Sequence, residues 1–233
     1  MINYKFLKGT KNISVVFMHG WRGSAASFTP IAENLPDYNK YILDLPGFGE
    51  SAELDNAGFA EYVQHVADFI KSLNRPVYLV GHSFGGRSAI EMAAKNPDWC
   101  AGVILLDAAC FVKPKTLLRR IWFRNLKKIK TALGIKWDGS KYNSPDYSQV
   151  SQNMKKIMGA SLMHDTGGAA RKICTPTLII YGADDNDTPP WMGRKLHRLI
   201  KNSRLHILPN QDHKSVLTAG KYQVAALIKE FIK

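Results

Sequence analysis

Val80-Gly81-His82-Ser83-Phe84-Gly85-Gly86 is the stretch from which this chain is best read. It follows the apolar run Pro76-Val77-Tyr78-Leu79-Val80 and precedes Arg87–Lys95, where apolar residues recur at helical spacing. That order predicts a strand, a turn with glycines on both sides of a serine, and a helix. In such a setting Gly-x-Ser-x-Gly is a nucleophile elbow, with Ser83 on a strained corner and its hydroxyl presented outward. Gly81 and Gly85 have no Cβ, so strand and helix can approach each other closely around the corner. A five-residue Gly/Ser pattern also arises by chance, but the flanking strand and helix argue against that. Other segments must then supply a base and an acid.

The rest of the chain repeats the same alternation. Upstream, Ile13–Met18 reads as a buried strand that ends in His19-Gly20-Trp21-Arg22-Gly23, and a helix is predicted from about Ser27 to Leu35. Tyr41–Leu45 is a second strand, ending in Pro46-Gly47-Phe48-Gly49, and Phe59, Val63, Val66, Phe69, Ile70 and Leu73 mark an amphipathic helix. Downstream, Gly102–Leu106, Thr177–Tyr181 and Leu205–Leu208 are further apolar strands, and the last helix is predicted to carry Val216, Leu217, Val224, Leu227, Ile228 and Phe231. Strands apolar on both faces, alternating with amphipathic helices, predict an α/β protein with a mostly parallel sheet covered on both sides. Reactive groups in such sheets gather at the carboxyl ends of the strands.

One segment breaks the alternation. Residues 111–173 read as an insertion between two core strands, which leaves 1–110 and 174–233 as the core. Within the insertion, Leu117, Leu118, Ile121, Trp122, Leu126, Ile129 and Leu133 are predicted to form an apolar stripe on a basic helix. Asn143–Tyr147 reads as a turn and Val150–Leu162 as another helix. The net charge of +13 is concentrated here. Between Phe111 and Asp165 the acids are Asp138, Asp146 and Asp165, against Lys113, Lys115, Arg119, Arg120, Arg124, Lys127, Lys128, Lys130, Lys136, Lys141, Lys155 and Lys156, so this segment holds +9 of the total.

Composition narrows the class. Ordinary apolar and charged fractions exclude a disordered chain, and no apolar run nears the roughly 20 residues that span a bilayer. The N-terminus, Met1–Phe6, lacks the layout of a secretory signal. Cys100, Cys110 and Cys174 show no metal-ligand spacing and are expected as reduced core thiols of a cytoplasmic protein. Neither a metal nor a cofactor is expected, because no P-loop lysine or dinucleotide fingerprint accompanies the glycines.

A serine hydroxyl is a poor nucleophile near neutrality and needs an adjacent base, usually a histidine oriented by a carboxylate. The candidate base is His213, in the loop between the last strand and the last helix. The candidate acids Asp184, Asp185 and Asp187 directly follow the strand Thr177–Tyr181. The order Ser, acid, His is that of the hydrolase elbow. His19 and His82 flank motif glycines and read as packing or positioning residues, and Asp44, beside a Pro-Gly turn, as a structural hydrogen-bonding group.

At this point the chain resembles the α/β-hydrolase superfamily along nearly its whole length. The resemblance rests on His19-Gly20-Trp21, Asp44-Leu45-Pro46-Gly47-Phe48-Gly49-Glu50-Ser51, Gly81–Gly86, Gly182–Pro189 and His213. It implies an α/β-hydrolase fold in which Ser83 is the nucleophile and His213 the general base. Family loops reading Gly-x-x-Asp select Asp185, with Asp187 and Asp184 as alternatives. The backbone N–H groups of Trp21 and Phe84 would form the oxyanion hole, and residues 111–173 occupy the place of a helical cap. Asp212 stands where the family usually has glycine. A serine at the elbow disfavours the aspartate-nucleophile branch.

The expected activity is hydrolysis of a carboxylic ester of a small or medium acyl group through an acyl-serine intermediate. The basic insertion admits two further readings beside a merely solvated face. It could dock an acidic protein such as an acyl carrier, or anionic lipid as a lysophospholipase would require. The motifs are similar to those of pimeloyl-carrier-protein methyl esterases and are widely shared. Nucleic acid is not expected, because no recognition motif goes with the charge. A non-catalytic or very slow ligand-binding protein on the same fold is the rival from another class.

Overall fold

The structure, a computed structural model, describes residues 1–112 and 150–232, together with positions 122, 125 and 129. Its centre is a seven-stranded sheet: β1 Tyr4–Leu7, β2 Ser14–Met18, β3 Asn39–Leu43, β4 Val77–His82, β5 Cys100–Leu106, β6 Thr177–Gly182 and β7 Ser203–Leu208. They lie in the order β1-β3-β2-β4-β5-β6-β7. Only β1 is antiparallel to its neighbour. Local sequence predicts no strand there, because Tyr4 and Phe6 are exposed on an edge and give no buried apolar run.

The helices whose ends fall among the described residues are α1 Thr29–Ala32, α2 Phe59–Ser72, α3 Phe84–Ala93, α4 Gln152–Met163, α5 Thr166–Lys172, α6 Trp191–Leu199 and α7 Lys221–Phe231. Successive strand side chains point to opposite faces, so each central strand feeds two cores. Val16, Met18, Leu79, Val103, Leu105, Ile179 and Tyr181 meet the apolar faces of α2, α3, α5 and α6. Val15, Phe17, Val80, Ile104, Leu106, Leu178 and Ile180 meet Ile31, Val224 and Ile228 on the other side. Both faces being covered is why these strands read as continuous apolar runs.

Three expectations are corrected. The helix predicted from Ser27 to Leu35 is a 3-10 turn over Ala25–Ser27 followed by the single-turn α1 with Pro30 in its first turn. Cys174 is exposed, whereas Cys100 and Cys110 are buried. Val216 and Leu217, read as part of the last helix, lie in a separate 3-10 turn, Ser215–Leu217, ahead of α7. Of the predicted apolar stripe, Trp122 and Ile129 are helical and 58% and 56% exposed. The rest of that stripe, the turn at Asn143–Tyr147 and most of the basic residues lie outside the described residues.

Residues 151–172 pack against α2 and α3. Ser151 caps α4 by accepting the Met154 N–H at 3.1 Å, and its hydroxyl donates to Glu53 at 2.7 Å. Met154 and Ile157 are buried. Buried Arg87 of α3 joins three elements: its Nε donates to Ala109 O at 2.6 Å, and its Nη1 to Ser161 O and, at 3.0 Å, to Thr166 Oγ1. No helix among the described residues is long and apolar enough to cross a membrane.

Candidate active site

Ser83 sits between β4 and α3 with φ 51° and ψ −111°, a conformation in which a Cβ is strained. It is held there from three sides. Its N–H donates to Leu106 O at 3.1 Å, and its carbonyl accepts the Arg87 N–H at 3.1 Å and the Ala109 N–H at 3.0 Å. The glycines make the corner possible. A Cβ on Gly85 would lie 2.1 Å from Met18 O, and one on Gly81 would lie 2.5 Å from Gly85 O.

Ser83 Oγ lies 3.0 Å from His213 Nε2, and His213 Nδ1 lies 2.7 Å from Asp185 Oδ2. The carboxylate accepts from Nδ1–H, which leaves Nε2 unprotonated and able to accept from the serine hydroxyl. Of the three acids that the sequence left open, Asp185 is the one that turns inward, and Asp184 and Asp187 are exposed. Its Oδ1 accepts the N–H groups of Asp187 at 2.6 Å and Thr188 at 2.8 Å. The Thr188 hydroxyl lies 2.6 Å from Oδ2. Burial pushes the Asp185 pKa up, but the hydrogen bonds from His213 and Thr188 outweigh it and hold the carboxyl below its usual range. For His213, burial works downward, while the bond to Asp185 and the charge of that carboxylate carry its pKa above 6.5.

The two flanking histidines have other partners. His19 Nδ1–H donates to Gly20 O at 2.7 Å, and its Nε2 accepts the Leu45 N–H at 2.9 Å, which ties the end of β2 to the turn after β3. His82 Nε2–H donates to His213 O at 2.9 Å. Burial, then the nearby His213, lowers the His82 pKa to about 3 and keeps its ring neutral. Asp44 accepts the N–H groups of Ala25 at 2.6 Å and Glu50 at 3.1 Å.

A cavity of about 660 Å³ opens over Ser83, lined by Trp21, Ser27, His213, Leu217 and Thr218 among others. The Trp21 ring packs edge-on against Phe48 and Phe84 at 5.0 and 5.3 Å. Phe84 opens α3, where a helix leaves its first N–H groups without an intrahelical acceptor. Polar atoms of His82, Asp107 and His213 lie within 4.8 Å of one another. However, His82 Nε2 and both His213 nitrogens are already committed to hydrogen bonds, so the set fits a hydrogen-bonded network better than a metal site.

Two residues in this network were not singled out from the sequence. Thr188 touches Asp185, the Asp107 carbonyl at 3.0 Å and His213 Nδ1 at 3.1 Å, and no local pattern announces it. Asp107 directly follows β5, at the same sheet edge as Ser83. The rule that chemistry collects at carboxyl ends of strands would have found it.

Residues 15–227 match the Alpha/beta hydrolase family. A 92-residue stretch is 41% identical to the 2-succinyl-6-hydroxy-2,4-cyclohexadiene-1-carboxylate synthase of Enterobacter sp. (strain 638), covering 39% of this chain and 36% of that protein. The chain thus spans about a third of that relative's length. Identity is 25% to the pimeloyl-[acyl-carrier protein] methyl ester esterase of Neisseria meningitidis serogroup B (strain H44/76), over 94% of this chain and 92% of that one. The solved structure of a lipase-esterase related protein from Clostridium acetobutylicum superposes with a TM-score of 0.76 at 22% identity, covering 100% of both chains, which is a likeness of fold. With a mostly parallel sheet clothed by helices and a family match across almost its whole length, the chain belongs to the alpha/beta hydrolase family.

Proposed function

We propose that the protein hydrolyses a carboxylic ester through an acyl-serine intermediate, with Ser83 as nucleophile, His213 as general base and Asp185 as the acid that orients it. The observation that carries this reading is the unbroken relay from Ser83 Oγ to His213 Nε2 at 3.0 Å and from His213 Nδ1 to Asp185 Oδ2 at 2.7 Å. Ser83 Oγ attacks the ester carbonyl as its proton passes to His213 Nε2. The tetrahedral intermediate's oxyanion is taken by the N–H groups of Trp21 and Phe84. The C–O bond to the leaving alcohol then breaks, and that alcohol receives the proton from His213. Water, deprotonated by the same nitrogen, cleaves the acyl-serine and restores Ser83. Residues 111–173 are assigned as a cap that shields the cavity from water and shapes the acyl pocket.

The test is hydrolysis of p-nitrophenyl esters of increasing acyl length by the native protein and Ser83→Ala. Turnover abolished in the variant supports the serine mechanism, and the best chain length gauges the pocket. A native protein that turns over none of the esters, or a variant as active as the native one, refutes it.

A second reading is favoured by one pair of observations. The chain carries +9 between Phe111 and Asp165, and a relative matched along nearly its full length is a methyl ester esterase for a carrier-borne acyl group. The substrate would then be an acyl ester presented by an acidic carrier protein, drawn in by the basic segment. Turnover of a carrier-linked methyl ester that falls steeply with salt, while turnover of a small neutral ester does not, supports that reading. Equal salt responses count against it, and preference for anionic vesicles would point to lipid instead.

A further inference from the structure

Beside the Ser83–His213–Asp185 relay lies a carboxyl group that the proposed reaction does not use. Asp107 is fully buried, and its backbone has φ 42°. Its Oδ1 accepts the Gly182 N–H at 2.8 Å, whereas Oδ2 is buried without a hydrogen-bond partner among the described residues. A carboxylate with a bare buried oxygen is among the costliest groups a protein can hold. The ionisable groups around it come from three strands and the loops after them. They are His82 at the end of β4, Tyr181 on β6, Asp185 in the loop after β6 and His213 in the loop after β7. A polar atom of Asp107 lies within 4.8 Å of a ring nitrogen of both His82 and His213. Thr188 links the two acids, with its hydroxyl 3.0 Å from the Asp107 carbonyl and 2.6 Å from Asp185 Oδ2.

These neighbours decide the protonation state. Burial first, then the negative Asp185, pushes the Asp107 pKa up to about 8, against the opposing pull of the Gly182 N–H and of His213. Two like charges in one dry site do not both ionise readily. Near neutral pH Asp185 is therefore the anion that His213 faces, and Asp107 carries a proton. As pH rises, that proton leaves to solvent, and a second carboxylate appears within reach of the imidazole.

We propose that Asp107 is a positioning residue for His213: as a neutral carboxyl it leaves Asp185 alone to hold the Nδ1–H, and as a carboxylate it competes for that proton and draws the ring away from Ser83. The proposal rests on the roles given above to Ser83, His213 and Asp185. It adds an upper limit to the pH range in which the relay is aligned, set by a residue that touches neither substrate nor nucleophile.

The experiment is kcat/KM for p-nitrophenyl butyrate across the neutral and alkaline range, with the native protein, Asp107→Asn and Ser83→Ala. The native value is expected to fall above about pH 8. Asp107→Asn keeps an acceptor for Gly182 but cannot ionise. It is expected to lose up to about tenfold at neutral pH, the worth of one hydrogen bond, and to show no alkaline fall. An alkaline fall retained in Asp107→Asn, or none in the native protein, overturns the proposal. So does a folded Asp107→Asn that is dead at every pH, because Asp107 would then be the indispensable acid. An infrared titration of the native protein reads the same group without activity. A carboxylic C=O stretch should be present at neutral pH, disappear as pH passes about 8 and be missing from Asp107→Asn, and its absence at neutral pH overturns the proposal even if the variant does not fold. Activity surviving in Ser83→Ala is a different failure: it removes the serine mechanism, and the positioning role with it, while the infrared band still reports whether Asp107 holds a proton.

Discussion

Replacing Asp185 by Asn tests the site at its most constrained point, because the structure dictates how the amide must sit. Oδ1 of Asp185 accepts two backbone N–H groups, from Asp187 at 2.6 Å and Thr188 at 2.8 Å. In Asp185→Asn only the amide oxygen can occupy that position, since an NH2 there would meet two donors. The NH2 is therefore turned to the Oδ2 position, which faces His213 Nδ1 at 2.7 Å. The Thr188 hydroxyl, now donating to Asp185 Oδ2 or to the Asp107 carbonyl, can accept from the new NH2 and does not resist the change. An amide donor at Nδ1 forces the imidazole proton onto Nε2, so the nitrogen that faces Ser83 can no longer accept the serine proton. A wrong tautomer in a serine triad costs about 10⁴ in kcat, which corresponds to roughly 5.5 kcal/mol of transition-state stabilisation. The assay is kcat and KM on a short p-nitrophenyl ester for Asp185→Asn and, in parallel, Asp187→Asn. KM is expected to change little, because Asp185 does not line the cavity. If Asp185→Asn keeps more than about a tenth of the native kcat while Asp187→Asn loses most of it, the tautomer argument and the choice of acid both fall.

Three further outcomes follow from the same geometry. Because Asp185 carries the His213 pKa above 6.5 and the base must be neutral to act, kcat/KM should fall with acid about a midpoint above 6.5. By linkage, the stability that the raised His213 pKa contributes is complete below its unfolded value and is lost as pH rises through the folded one, whereas the contribution of the lowered Asp185 pKa is lost in acid. An acid midpoint below 6.5 would contradict the assignment. Arg87→Met leaves the Ala109 and Ser161 carbonyls without their buried donor. It should cost about 3–5 kcal/mol in urea unfolding, or roughly 6–20 °C in Tm for a chain of this size, and a loss under about 1 kcal/mol would mean the clamp is dispensable. Gly85→Ala drives a Cβ to within 2.1 Å of Met18 O, a backbone atom that cannot swing aside, and should destabilise by about 3 kcal/mol or more. Native-like solubility and unfolding midpoint would show that the corner has more room than its geometry allows.

Much of this molecule is legible in local windows of sequence, and the parts that are not share a cause. The central strands β2, β4, β5 and β6 read correctly because both of their faces are buried, so nearly every residue in the window reports the same environment. The edge strand β1 and the broken helix at Ala25–Ala32 did not, because their patterns are set by what covers them or by a single proline. Helix α4 was visible in its own apolar spacing, whereas Val216 and Leu217, which share the apolar character of α7, sit in a separate 3-10 turn before it.

The site divides along the same line. Sequence by itself determined the strand–turn–helix corner at Ser83, the order serine, acid, histidine, and the family, since each is carried by residues adjacent in the chain or by simple succession. Only the tertiary structure turned Asp185, rather than Asp184 or Asp187, toward His213, made Arg87 a link between α3 and residues 161–166, and set Asp107 and Thr188 beside His213. These are contacts across 25 to 130 positions of chain. They depend on which side chain turns inward at the end of a strand, and that is settled by the register of a seven-stranded sheet and the packing on its two faces, which no short stretch of residues contains.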